Sequence, residues 1–200
     1  NDALVQPGYS ADDLRGKAAA KARLQQRLGL KARPDALLFC VVSRLTEQKG
    51  LHLLPGVIDE LVHRGGQLAV LGAGDPLIEQ ALQHAAQRHP GHVGLHIGYD
   101  EALAHGLIAG SDVILVPSRF EPCGLTQLYG HRYGTLPLVR AVGGLVDTVT
   151  DSSLEHLDDG SASGFVFHGL DEASLLSALR RAFALRRREA DWRAVQRHGM

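Results

Sequence analysis

Residues 112–130 read DVILVPSRFEPCGLTQLYG. The run from Asp112 to Pro117 is apolar without alternation, the pattern of a strand covered on both faces. From Gly124 onward the sequence reads as a helix, so a strand passes to a helix through one short loop. That handover is half of a βαβ unit. The loop carries Glu121 just ahead of Gly124, Leu125 and Thr126, whose free backbone N–H groups at a helix start favour anions. On composition alone Glu121 reads as an ordinary acidic residue near a helix N-terminus; the competing reading is that it holds a neutral part of a ligand whose charged part meets those N–H groups.

The same alternation extends in both directions. LLFCVV (37–42), QLAVLG (67–72), VGLHIG (93–98) and TLPLVR (135–140) read as further strands. Between them LRGKAAAKARLQQRLGL (14–30) reads as a helix ending at Gly29, and PLIEQALQHAAQRH (76–89) and EALAHGLIAG (101–110) as two more. LHLLPGVIDELVHRG (51–65) is helical in its second half, with Pro55-Gly56 expected to distort or delay it. Asp151 to Gly169 reads as loop apart from FVF (165–167), a candidate last strand. Residues 172–197 read as helix, broken near Glu189. Strands alternating with helices predict an α/β fold with a doubly wound, Rossmann-like parallel sheet, whose ligands bind at the carboxyl ends of the strands. SRLTEQKG (43–50), GAGDP (72–76), GYDE (98–101), PSRFEPCG (117–124) and AVGGL (141–145) should therefore line one edge.

With 44% hydrophobic and 22% charged residues the chain can bury a sizeable core. A formal net charge of −1 gives no overall pull toward nucleic acid or a membrane surface, and no apolar run approaches the ~20 residues of a membrane helix. Cys40 and Cys123 are the only cysteines, which favours a reducing compartment over a disulfide scaffold. The chain begins at Asn1 and its only methionine is Met200, so a piece of a longer protein is expected.

On the loop after the first strand, Arg44 offers a fork of donors and Lys49 a compact charge, a combination that suits a diphosphate. Two solvated surface charges are the competing reading. GAGDP lacks the third glycine of a dinucleotide fingerprint and reads better as a tight turn with Pro76 at the first helical position. Gly143-Gly144 suits a plain loop as well as a ligand contact. Arg186-Arg187-Arg188 reads as a solvated helix face. The 11 histidines are scattered without metal-ligand spacing, so no metal is expected. A helix terminus alone stabilises a charge by about 0.3–2 kcal/mol, far below the 8–23 kcal/mol by which enzymes typically lower barriers. Cations would have to converge on the same ligand.

SRLTEQKG, PSRFEPCGLTQLYGHRYGTLPLVR and GGLVDTV, in this order and spacing, closely resemble the C-terminal half of bacterial glycogen synthases and plant starch synthases. The likeness takes in GAGDP, IGYDEALAH and SGFVF and so runs over nearly the whole chain. It implies a GT-B glycosyltransferase of two Rossmann-like halves, with residues 1–200 as the truncated C-terminal, donor-nucleotide-binding domain. The implied activity is transfer of glucose from ADP-glucose to the non-reducing end of an α-1,4-glucan such as glycogen, with retention and without a metal or other cofactor. By the same resemblance Arg44 and Lys49 neutralise the departing diphosphate and Glu121 hydrogen-bonds the glucose hydroxyls. Cys123, Gly124, Leu125 and Thr126 become donor contacts, and Tyr99 stacks on the adenine. The implied partner is the N-terminal half of the same protein, and the implied setting a bacterial cytoplasm rather than a plastid. Many relatives carry a second glutamate after seven intervening residues, where this chain has Tyr129; Val142 stands where threonine is expected before Gly-Gly. A nucleotide- or glucan-binding module without chemistry is the alternative. A hydride-transfer enzyme built on GAGDP lacks the acidic residue such a site needs.

Overall fold

The computed structural model describes residues 2–5 and 7–200. In chain order the elements are α1 (Arg15–Arg27), β1 (Leu38–Val42), α2 (Pro55–His63), β2 (Gln67–Gly72), α3 (Pro76–Arg88), β3 (Val93–Ile97), α4 (Glu101–Gly110), β4 (Val113–Val116), α5 (Thr126–Arg132), β5 (Leu136–Arg140), α6 (Gly144–Thr148), α7 (Leu154–Asp158), β6 (Phe165–Phe167), α8 (Glu172–Arg186) and α9 (Glu189–Gly199). Two single 3₁₀ turns, Glu47–Lys49 and Leu51–Leu53, lie between β1 and α2.

The strands form one parallel sheet in the order β3-β2-β1-β4-β5-β6. The order reverses direction between β1 and β4, and a doubly wound sheet opens its ligand crevice at that switch point. Residues of β1 alternate between two cores. Phe39 and Val41 pack with Val57 and Ile58 of α2, Leu82 of α3 and Leu175 and Leu179 of α8. Leu38 and Cys40 pack on the other face with Leu24 of α1 and Leu103 and Leu107 of α4. Continuous apolar strands are what such two-sided burial requires.

Local departures from the sequence reading have physical causes. Pro55 is the first residue of α2, where a missing N–H is harmless, so it starts the helix and does not distort it. Gly56 packs so closely on Glu172 that a Cβ would lie 2.1 Å from its carboxylate. Within 151–169 the short α7 forms because the Ser153 side chain accepts from His156 N, an N-cap. On α1, Lys17, Lys21 and Gln25 sit at four-residue spacing and are all buried. Lys17 Nζ reaches Ala109 O, Tyr133 O and Thr135 Oγ1, Lys21 Nζ pairs with Asp112 at 2.7 Å, and Gln25 donates to Gln67. This polar stripe thus anchors α1 to Gln67 of β2 and to the residues just ahead of β4 and β5.

Candidate functional site

The loops after β1 and β4 are packed backbone to backbone. A Cβ on Gly50 would lie 1.9 Å from Pro117 O, and Gly50 has φ +70, a left-handed conformation that glycine adopts without strain. Arg119 N donates to Gln48 O at 2.9 Å, and Arg140 of β5 reaches across to donate to Ser118 O and Arg119 O. GAGDP braces the same edge. Leu45 N donates to Ala73 O, Asp75 N donates to Leu45 O, and Asp75 caps α3 ahead of Pro76. The turn reading of that motif therefore holds, and its glycines serve close packing: a Cβ on Gly72 would lie 1.9 Å from Ser43 O.

This packing brings Lys49 to Glu121. Lys49 Nζ donates to Glu121 Oε2 at 2.5 Å, and Ser118 Oγ donates to the same oxygen at 3.2 Å. Both side chains are mostly covered, 22% and 13% exposed. Glu121 Oε1 accepts from no described residue, and an ammonium with three donors keeps two for a ligand. One end of the pair can thus meet hydroxyl groups while the other meets anionic oxygens.

The helix start departs from the sequence reading. α5 begins at Thr126, with Leu125 as N-cap and Gly124 left-handed at φ +67, so Gly124 and Leu125 precede the helix instead of opening it. Helix α5 is only seven residues long, so its dipole is small and the exposed N–H groups matter more. Among the described residues nothing accepts from the N–H of Cys123, Gly124, Leu125 or Thr126. A left-handed residue followed by a right-handed one is an arrangement in which successive N–H groups line an anion-binding concavity. Gly143 and Gly144 form the back of this loop: a Cβ would lie 2.0 Å from Glu121 O at Gly143 and 2.4 Å from Cys123 O at Gly144. Gly144 N donates to Glu121 O and Pro122 O. The pair holds the loop, a role its sequence left open.

Arg44 is exposed and makes no side-chain hydrogen bond or ion pair among the described residues. It shares a cleft of about 410 Å³ with Tyr99, Ser43, Gly72 and Ala73. Tyr99, 87% exposed, also borders a hollow of about 220 Å³ that reaches Thr126 and Tyr129. Arg44 and Tyr99 thus share one cleft, and neither Lys49 nor Glu121 lines it. A larger hollow of about 500 Å³, lined by Asp2, Tyr9, Arg132, Tyr133 and Met200 among others, includes no residue that follows the carboxyl end of a strand. Among the described residues no three His, Cys, Asp or Glu side chains gather as metal ligands would, and no helix is long and apolar enough to cross a membrane.

The sequence reading missed Ser118, Gln127 and Thr148. Gln127 is fully buried, and the two N–H groups of its Nε2 are shared among Gly124 O at 2.9 Å, Thr148 Oγ1 at 3.1 Å and Cys123 O at 3.3 Å; Thr148 Oγ1 in turn donates to Gly144 O. Nothing in a single sequence separates a glutamine beneath a loop from one on the outer face of a short helix.

Residues 23–198 match the family model described as glycosyl transferases group 1. The chain belongs to that family. Over 199 residues it is 64% identical to a glycogen synthase of Albidiferax ferrireducens and 58% identical to one of Yersinia enterocolitica, in each case along all of this chain. It spans about 40% of the length of the first and 42% of the second. Among solved structures it is similar to the catalytic domain of starch synthase IV from Arabidopsis thaliana bound to ADP and acarbose. That likeness has a TM-score of 0.90 at 37% identity, over 99% of this chain and 41% of that one. The group 1 glycosyltransferase domain described here therefore has the fold expected of one Rossmann-like half of a GT-B enzyme.

Proposed function

We propose that this domain is the donor-binding half of a glycogen synthase, which moves glucose from ADP-glucose to the non-reducing end of an α-1,4-glucan with retention. The observation that carries the proposal is the Lys49–Glu121 pair at the switch point, beside N–H groups that find no partner among the described residues. Similarity to glycogen synthases over the whole chain supports the substrate class, and the ADP bound to the similar starch synthase supports the base.

In this reading Glu121 Oε1 accepts from glucose hydroxyls, and the free N–H groups of Cys123 to Thr126 receive the diphosphate. As the glycosidic bond breaks, negative charge grows on that diphosphate. Fixed cations and oriented N–H groups therefore stabilise the transition state more than the ground state. Lys49 remains on Glu121 through one donor and turns the others to phosphate oxygens; Arg44, unpaired among the described residues, supplies a bidentate fork from the neighbouring cleft. These groups together take the place of a metal ion in the proposal. Tyr99 offers an exposed face for the nucleobase. The acceptor and the rest of the cleft belong to an N-terminal half, in keeping with the share of the relatives that this chain spans. The setting proposed is a bacterial cytoplasm, and the bacterial sources of the similar synthases support its first part.

The test is incorporation of labelled glucose into glycogen by the full-length protein, with ADP-glucose and UDP-glucose offered separately. Transfer from ADP-glucose in preference to UDP-glucose is expected. No transfer from either would sink the proposal, and equal transfer from both would sink the base assignment.

A further inference from the structure

We propose that Gln127 is a positioning residue that sets the phosphate-receiving face of the Glu121–Thr126 loop. The inference rests on the reading that this loop meets the donor diphosphate. In a trans peptide the C=O and the next residue's N–H point in opposite directions. Pinning a carbonyl inward therefore turns the following N–H outward. Gln127 Nε2 lies 3.3 Å from Cys123 O and 2.9 Å from Gly124 O, which turns out the N–H groups of Gly124 and Leu125. Gly144 N, 3.1 Å from Pro122 O, does the same for Cys123 N–H. These N–H groups are ones that find no acceptor among the described residues.

The amide orientation is forced. With two carbonyl oxygens as neighbours, only the NH₂ end can face them, since Oε1 there would meet two other acceptors with no proton between them. Gln127 Oε1 is left buried without a partner among the described residues, a cost accepted only if the other end is needed. The third contact, to Thr148 Oγ1 at 3.1 Å, continues through Thr148 to Gly144 O at 2.7 Å. The carbonyls of the β4–α5 loop and the Gly-Gly turn that backs it are thus tied into one network through Gln127. A Cβ on Gly124 would lie 2.6 Å from Oε1, so the loop and the amide are fitted to each other.

In the full-length protein, Gln127→Met keeps length and volume but removes the donors. ADP Kd and the KM for ADP-glucose are expected to rise by at least about tenfold, the loss of a charge-assisted hydrogen bond or more. Gln127→Glu separates positioning from mere packing. Its carboxylate would oppose the two carbonyls, and only its protonated form can donate to Gly124 O. The deficit in ADP affinity relative to wild type should therefore shrink as pH falls from about 8 to about 5.5, because burial raises a carboxyl pKa into that range. A deficit independent of pH overturns the proposal, as does Gln127→Met binding ADP within threefold of a wild type that binds it. A wild type that binds no ADP overturns the donor reading and this inference with it. Should the variants not fold, millisecond hydrogen exchange on the wild type decides. Amides 123–125 should exchange freely without ADP and slow with it; slow exchange without ADP overturns the inference.

Discussion

Lys49→Ala in the full-length protein separates the chemical role proposed for the cation from its structural one. The substitution removes the ammonium that lies 2.5 Å from Glu121 Oε2, leaving Ser118 Oγ as the carboxylate's remaining partner at 3.2 Å. With the two side chains 22% and 13% exposed, the pair sits between a surface bridge, at about 0–1 kcal/mol, and a buried one, at about 3–5 kcal/mol. A stability loss of about 1–2 kcal/mol is expected. The catalytic loss is larger. A unit charge about 4 Å from a growing anion in an effective dielectric near 20 contributes up to about 4 kcal/mol. Removal of one preorganised donor in comparable sites costs about 2.7–4 kcal/mol. Together these predict a fall in kcat/KM of roughly 10²–10³-fold. Initial rates of glucose transfer to glycogen from ADP-glucose, with a thermal melt on the same sample, measure both. A rate loss under tenfold would refute a transition-state role for Lys49. Arg44→Ala is the comparison: with no partner of Arg44 among the described residues to strand, it should melt like wild type and still weaken ADP binding.

Other outcomes follow from the same geometry. Tyr99→Ala should leave the melting temperature essentially unchanged, the ring being 87% exposed, and weaken ADP by about 1–3 kcal/mol in calorimetry, the value of one base-stacking contact. Gly143→Ala sets a Cβ 2.0 Å from Glu121 O at φ +47; loss of ADP binding with a lowered melting temperature is expected, and unchanged binding would contradict the bracing role. A thiol reagent should label exposed Cys123 in the native protein but spare Cys40, whose thiol burial pushes up to about 12, and ADP should protect Cys123. Because Cys40 is raised in the fold from an ordinary value of 9.0, its contribution is full below pH 9 and is lost as pH rises toward 12. Denaturant titrations of wild type and Cys40→Ala should therefore converge above pH 9 by up to about 1.4 kcal/mol per pH unit; parallel curves would contradict the burial argument.

The sheet was legible because its signal is local. LLFCVV and QLAVLG carry uninterrupted apolar runs, and two-sided burial leaves no other use for them. The edge that holds the candidate site followed from the winding rule alone. Lys49 and Glu121 stood out by their places on that edge, the resemblance added a role for each, and the fold joins them across 72 positions. What stayed hidden depends on partners remote in sequence. Nothing in the sequence marks Lys17 and Lys21 as buried until Thr135 and Asp112 appear beneath them. Gly143-Gly144 was ambiguous because its meaning lies in the carbonyls of Glu121 and Cys123. The helix start was misplaced at Gly124 because propensity marks a glycine near the boundary without saying that the residue is left-handed. Gln127 gave no signal, since its acceptors are main-chain atoms that no composition reports.

The central claim is that the donor's diphosphate is received at the β1–β4 switch point. A crystal structure of the full-length protein with ADP tests it directly. The account predicts phosphate oxygens within about 2.7–3.2 Å of Lys49 Nζ and of N–H groups between Cys123 and Thr126, with Arg44 turned toward them. A diphosphate seated elsewhere, on the Gly72–Pro76 turn for example, with Lys49 still closed on Glu121 and those N–H groups empty, would contradict it.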